Sequence, residues 1–186
     1  DVAEQVATAL SAQPARPDRP DQSDQLNRPD RPIYLDANAV SPATMRRIAE
    51  LLGPERVVDG AVIGPPAWQP GQTVLWLSGA AAASVARLFD GSPFEARVLG
   101  ESLGAASALK ACFALQSKAM PMVWAAVADA AEKAGVAREL RAELSRYGVN
   151  LDERVTEVSA RAEGKAWRWA GEMDEAAEAM VELGVP

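Results

Sequence analysis

From residue 33 to residue 99, short apolar runs alternate with stretches of helical spacing; from Glu101 onward only helical spacing remains. Val2, Val6 and Leu10, four residues apart, predict a short helix over Asp1 to Leu10. Pro32 to Asp36 reads as a strand. Ser41 is an N-cap with Pro42 at the first helical position, opening a helix to Leu52. Arg56 to Ile63 is a second strand ended by Gly64, Pro65 and Pro66, and Thr73 to Leu77 a third, closed by Ser78 and Gly79. A helix over Ala80 to Phe89 and a strand over Phe94 to Leu99 complete this part. Strands alternating with helices predict a largely parallel sheet with covered faces. Beyond it, Leu103 to Ala134 is one long helical stretch with Pro121 a kink or break. Further helices are expected at Arg138 to Tyr147, Leu151 to Ala162 and Lys165 to Leu183. The fold class is therefore α/β followed by all-α. Residues 1–100 form one unit and residues 101–186 a helical unit, divided near Gly100 to Gly104.

One segment fits neither pattern. Residues 13–32 hold five prolines, the triplet Arg-Pro-Asp three times, and Leu26 as their only large apolar residue. Such a stretch buries too little surface to offset the entropy of ordering, so a disordered loop is expected. A tolerated surface insertion accounts for it better than a partner-binding proline motif.

Composition narrows the function classes. A net charge of −7 leaves nothing basic to neutralise a nucleic-acid backbone. The chain has no histidine, which removes Ser-His-Asp and Cys-His catalysis and imidazole-based zinc sites, and no metal site is expected. A single cysteine, Cys112, forbids an intramolecular disulfide and fits a reducing cytoplasm. No apolar run approaches the roughly 20 residues of a membrane span. Acid–base chemistry falls to Lys, Asp, Glu, Tyr or Cys.

Four places could carry chemistry. Lys110 lies on the long helix among small and apolar residues, with Ser107 one turn before it and Ser117 two turns after it on the same face. A lysine in an apolar groove has its pKa lowered and can exchange a proton near neutral pH. From spacing alone, a lysine snorkelling from the edge of a buried helix is the simpler account. The loop Asp36 to Pro42 sits where α/β proteins place ligands, and its Asn38 suits a ribose or an amide; plain helix capping also explains Ser41. The turn Asp59 to Pro66 has glycines that let a ligand approach, as ordinary turns also do. Residues 165–173 put Lys165, Trp169 and Met173 on one helical face, either a pocket wall or core packing. No Gly-x-Gly-x-x-Gly follows a strand.

In this order, Tyr34 to Pro42 (YLDANAVSP), Val58 to Pro66 (VDGAVIGPP), Leu99 to Lys110 (LGESLGAASALK) and Lys165 to Met173 (KAWRWAGEM) resemble the β-hydroxyacid dehydrogenase superfamily. The branch they resemble is the bacterial 6-phosphogluconate dehydrogenase-like oxidoreductases with a helical C-terminal domain. The resemblance implies the rear part of a Rossmann-type cofactor domain, then that helical domain. It implies NADP or NAD as cofactor, a small-molecule substrate, and hydride transfer from a hydroxyl-bearing carbon. Lys110 takes the position of the family's proton-transfer lysine. Asn38 falls at a serine beside the nicotinamide, and Lys165 at a late lysine near the cofactor. Ile63, Gly64, Ser107 and Phe113 are the expected substrate contacts. Two of these depart from the family: Ile63 and Pro65 alter a Ser-Gly-Gly carboxylate turn, and Phe113 replaces an asparagine, which implies a bulkier or less charged substrate. The resemblance also implies a homodimer through the helical domain, with Trp167, Trp169 and Met120 to Met122 as interface. A glycine-rich strand–turn–helix is expected ahead of Asp1, making this chain a truncated cofactor domain. The competing expectation is a non-catalytic helical dimerisation or ligand-binding module.

Overall fold

The structure, a computed structural model, describes residues 2–12, 32–162, 164 and 166–185. The proline-rich segment, apart from Pro32, lies outside the described residues, and so does Lys165. Helix α1 (Val2–Ser11) precedes strand β1 (Tyr34–Asp36) and helix α2 (Pro42–Leu52). Strands β2 (Val57–Ile63) and β3 (Thr73–Ser78) follow, then helix α3 (Ala82–Ala86) and strand β4 (Phe94–Gly100). Only helices come after: α4 (Ala105–Ala114), α5 (Met120–Lys133), α6 (Ala137–Arg146), α7 (Leu151–Ala162) and α8 (Ala166–Glu182). The α/β-then-helical order is as the sequence pattern requires.

The four strands form one mixed sheet in the order β1-β2-β3-β4. β1 pairs parallel to β2, and β3 to β4, but β2 and β3 are antiparallel. The middle pairing departs from an all-parallel layout for a local reason. A parallel connection needs a crossover of a dozen or more residues, usually a helix. Between Ile63 and Thr73 there are only nine residues, rich in Gly and Pro, so the chain turns straight back.

Side chains alternate across β2 and divide the core. Val57 packs with Met45, Ile48, Ala49 and Leu52 of α2 and with Ala3 and Ala7 of α1. Val58, on the opposite face, packs with Leu75, Leu77, Ala82 and Val85. α2 starts as the sequence predicts: Ser41 is extended, and its hydroxyl accepts the Thr44 N–H at 3.2 Å. α1 differs. Its buried face is Ala3 and Ala7, while Val2 is 72% exposed. Alanines admit the close approach of two helices, so the predicted valine stripe points outward.

The long helical stretch is not broken at Pro121. Residues Leu115–Ala119 form a π turn, and α5 begins at Met120. Proline lacks an N–H and crowds the carbonyl four residues back, so one widened turn lets the helix continue. α4 lies against β2 and β3 on one side and α8 on the other. Its contact with α8 is made by Ala111, Ala176 and Ala179, flanked by Leu115, Met173 and Met180. Among the described residues no helix is long and apolar enough to cross a membrane.

Candidate functional site

β2 carries the first element of the site. Asp59 has the same parity as Val57 and faces the start of α4, with none of its surface exposed. One carboxylate oxygen accepts the Ser107 hydroxyl at 2.6 Å. The other accepts the Ser107 backbone N–H at 2.9 Å and the Ser78 hydroxyl at 3.1 Å. The Ser78 hydroxyl in turn accepts the Ala106 N–H at 3.1 Å. A carboxylate on β2 and a hydroxyl on β3 thus satisfy first-turn N–H groups of α4 that have no partner inside the helix. Burial pushes the Asp59 carboxyl above the ordinary carboxylate range, and the bonds from Ser107 and Ser78 oppose that shift.

One turn further along α4, Lys110 reaches back to the same strand. Its ammonium donates to the backbone carbonyl of Val62. Desolvation by burial lowers its pKa from the usual lysine value. Lys110 lines a narrow crevice with Ala39 and Val40 of the β1–α2 loop, Ala111 and Ala114 of α4, and Glu172, Glu175 and Ala176 of α8. The two glutamates line the crevice without forming an ion pair with Lys110; Glu172 pairs instead with Lys118. The carboxyl ends of β1 and β2, the small face of α4 and the acidic face of α8 therefore meet around one partly dehydrated amine.

The β1–α2 loop is organised by Asp36, which is buried at the end of β1. Its carboxylate accepts the Asn38 N–H at 2.8 Å and the Asn38 side-chain amide at 2.9 Å. It also accepts the Tyr34 hydroxyl at 2.9 Å. Burial, reinforced by this bond to Asp36, pushes the Tyr34 phenol up to about 12. The N-terminus of α2 is filled from within the chain. Glu175 of α8 accepts the Ser41 N–H at 2.6 Å, and Glu178 accepts the Ser41 hydroxyl at 3.1 Å. Glu182 pairs with Arg46 further along. Glu172, Glu175, Glu178 and Glu182 recur every three or four residues, so one face of α8 carries all four.

The structure brings some of the predicted residues together and separates others. Lys110 and Val62 meet, and Ile63, half-buried, is the next residue of the strand. Asn38 is exposed on the loop whose Ala39 and Val40 line the crevice. Ser107 is buried, and its hydroxyl is committed to Asp59 rather than turned toward the crevice. In this arrangement the Ser107 hydroxyl serves the carboxylate behind α4, one turn before Lys110. The Ser117 hydroxyl donates to the Phe113 carbonyl at 2.7 Å. Phe113 is 44% exposed and lies outside the crevice lining. Gly64 is exposed with φ +135°, and an added Cβ would sit 2.6 Å from the Gln72 carbonyl oxygen, so the turn itself requires glycine. Asp59 and Glu172 lie within stretches that the sequence singles out, though not for their carboxylates, and Glu175 lies outside them. The periodic acids of α8 were a visible signal for the glutamates; nothing local marked the Asp59 carboxylate.

Residues 131–186 match a family model described as a domain of unknown function (DUF1932). No curated protein matches significantly. Among solved structures, a conserved hypothetical protein from Sinorhizobium meliloti 1021 is 23% identical with a TM-score of 0.71, over 99% of this chain and 58% of that one. The conserved protein MTH1747, of unknown function and described as structurally similar to 3-hydroxyacid dehydrogenases, is 24% identical with a TM-score of 0.61, over 81% of this chain and 58% of that one. This chain therefore has the fold of these proteins, and it spans a little over half their length. An imine reductase from Myxococcus stipitatus in complex with NADP+ aligns at a TM-score of 0.41 with 24% identity, over 68% of this chain and 44% of that one. A superposition that loose carries no weight for this chain.

Proposed function

We propose that this chain carries the proton-transfer part of an NAD(P)-dependent oxidoreductase, one that moves a hydride between a hydroxyl-bearing substrate and a nicotinamide, with Lys110 as general acid and base. The observation that supports this best is the setting of the Lys110 ammonium. It is partly desolvated, bonded to a carbonyl, and lines a crevice between the sheet's carboxyl ends and α8. A lowered lysine pKa raises the share of neutral amine at a given pH, the form that accepts a proton. The amine accepts the hydroxyl proton as the carbinol C–H leaves as hydride; in the reverse direction the ammonium returns the proton. The Val62 carbonyl fixes where the nitrogen sits. NAD(P) supplies the hydride acceptor or donor.

The residues present fit only part of that nucleotide. Asn38 is exposed with its amide nitrogen held by Asp36, which leaves its amide oxygen for a ribose hydroxyl or a carboxamide. Lys165 joins it as a cofactor contact on the family resemblance alone. The sequence has no Gly-x-Gly-x-x-Gly turn, and the α2 N-terminus is occupied by Glu175. No step is therefore assigned to a pyrophosphate site here. Ile63 and Gly64 directly follow Val62, whose carbonyl holds the Lys110 ammonium, and Phe113 lies three residues after Lys110; their apolar character favours a bulkier, less charged substrate over a short hydroxy acid. Residues 1–100 are assigned to the cofactor side and residues 101–186 to the substrate side.

A second reading is a helical dimerisation module, favoured by α5. Its only buried residue is Ala131, and Met120, Met122 and Val123 are each about half exposed. Calorimetric titration with NADPH and NADH, paired with light scattering, separates the two readings. Nucleotide binding by this chain, or by a version extended at its N-terminus with a glycine-rich strand–turn–helix, supports the oxidoreductase; a dimer that binds neither nucleotide in either form supports the module and contradicts the oxidoreductase.

A further inference from the structure

We infer that Asp59 is a positioning residue for Lys110: its buried carboxylate fixes the first turn of α4 on the sheet and so sets the Lys110 ammonium on the Val62 carbonyl. The inference deepens the reading of Lys110 as the working amine and rests on it. Three independent features of the structure support it. Asp59 is fully buried on β2, yet no cation neutralises it; its bonds come from Ser78 on β3 and from Ser107 on α4. Those bonds fall at the start of α4, three residues ahead of Lys110. Val62, which receives the Lys110 ammonium, is three residues beyond Asp59 on the same strand. One strand therefore holds α4 at two points, first by a side-chain carboxylate and then by a main-chain carbonyl. With both points fixed, the lysine side chain spans a set gap and its nitrogen stays partly dehydrated. If the first point is released, α4 is free to lift from the sheet at its N-terminus, and the ammonium regains solvent.

The same carboxylate also has a purely architectural use, as a cap for α4. An architectural role predicts lost stability alone; a positioning role predicts a change in the titration of a side chain that Asp59 does not touch. The chain has four lysines, Lys110, Lys118, Lys133 and Lys165, which makes the measurement tractable. In protein labelled with 13C and 15N at lysine, the side-chain resonances are followed against pH and that of Lys110 is assigned by its loss in Lys110→Met. In Asp59→Asn, with the fold confirmed by circular dichroism, the Lys110 midpoint is expected to move up toward that of exposed Lys133, which itself stays put. Ser107→Ala, which removes one bond to the carboxylate and keeps the backbone N–H bond, should move it the same way by less. If Asp59→Asn does not fold, Ser107→Ala alone decides. An unchanged Lys110 midpoint in a folded variant overturns the inference. So does a downward shift, which would make Asp59 a charge partner, or an equal shift at every lysine, which would mean general loosening. The readout needs no turnover, so an inactive chain still tests the positioning. A parent protein in which Lys110 already titrates like Lys133 defeats the working-amine reading first, before any variant is compared.

Discussion

Glu175 accepts a hydrogen bond from the Ser41 backbone N–H at 2.6 Å, so the last helix of the chain closes the N-terminus of the second. The contact joins residues 134 positions apart and places α8 over the Lys110 crevice. A carboxylate on a helix N-terminus stabilises by about 0.5–2 kcal/mol when partly buried. Glu175→Ala is therefore expected to lower unfolding free energy by about 1 kcal/mol in urea, with Glu175→Gln losing less because it keeps an acceptor. Unfolding free energies for both variants equal to that of the parent would show that α8 is held by its alanine contacts alone.

Gly104 should tolerate no side chain. Its φ is +92°, and an added Cβ would lie 3.1 Å from the Pro42 Cβ. The starts of α2 and α4 are pressed together at this residue, next to both ends of the site. The left-handed backbone alone costs a non-glycine residue roughly 1–2 kcal/mol. Gly104→Ala is expected to destabilise by at least that amount in thermal or urea unfolding. A loss well under 1 kcal/mol would mean that the two helices separate easily.

Two groups give opposite pH dependences. The folded-state pKa of Asp59 is raised above its ordinary 3.8, so in the interval between the two values the native protein holds a proton that the unfolded chain has released. Its contribution is fully present below 3.8 and falls as pH rises through the folded value. The folded-state pKa of Lys110 is lowered below its ordinary 10.5, so between the two values the unfolded chain holds the extra proton and stability rises with pH. Urea midpoints measured across pH should lose the alkaline rise in Lys110→Met and the acid-side gain in Asp59→Asn. Curves for each variant parallel to the parent would contradict the two directions.

The exposed apolar residues of α5 make a prediction about assembly. If the helical part forms the proposed homodimer, Met122→Lys should weaken it by more than tenfold in dissociation constant, read by sedimentation. A parent protein that is monomeric at high concentration would remove the dimer.

Most of the fold could be read from the sequence, because its signals are local. Ser41 and Pro42 start α2, Gly64 to Pro66 end β2, and strand-to-helix alternation stops at Gly100. Features that depend on distant partners could not be read in the same way. The α1 stripe was assigned by size, but the small residues Ala3 and Ala7 face α2. The antiparallel β2–β3 pairing was legible in principle, since a nine-residue link leaves no room for a crossover helix. At the site, Lys110 stood out as a lone charge in an apolar helix. The carboxylate of Asp59 lies 48 positions from Ser107, and the Ser41 partner Glu178 lies 137 positions away. No local periodicity encodes either contact.

Steady-state turnover of a panel of carbonyl and hydroxyl substrates with NADPH and NADH, comparing the parent full chain with Lys110→Met, tests the central claim most directly. Removing a general acid–base group typically costs about 10²–10⁴-fold in rate. The expected result is a fall of that size in kcat with nucleotide affinity unchanged, and a parent rate that follows the ionisation of a single group below the ordinary lysine range. Turnover by Lys110→Met at the parent rate would contradict the claim, as would a parent that binds the nucleotide yet transfers no hydride to or from any member of the panel.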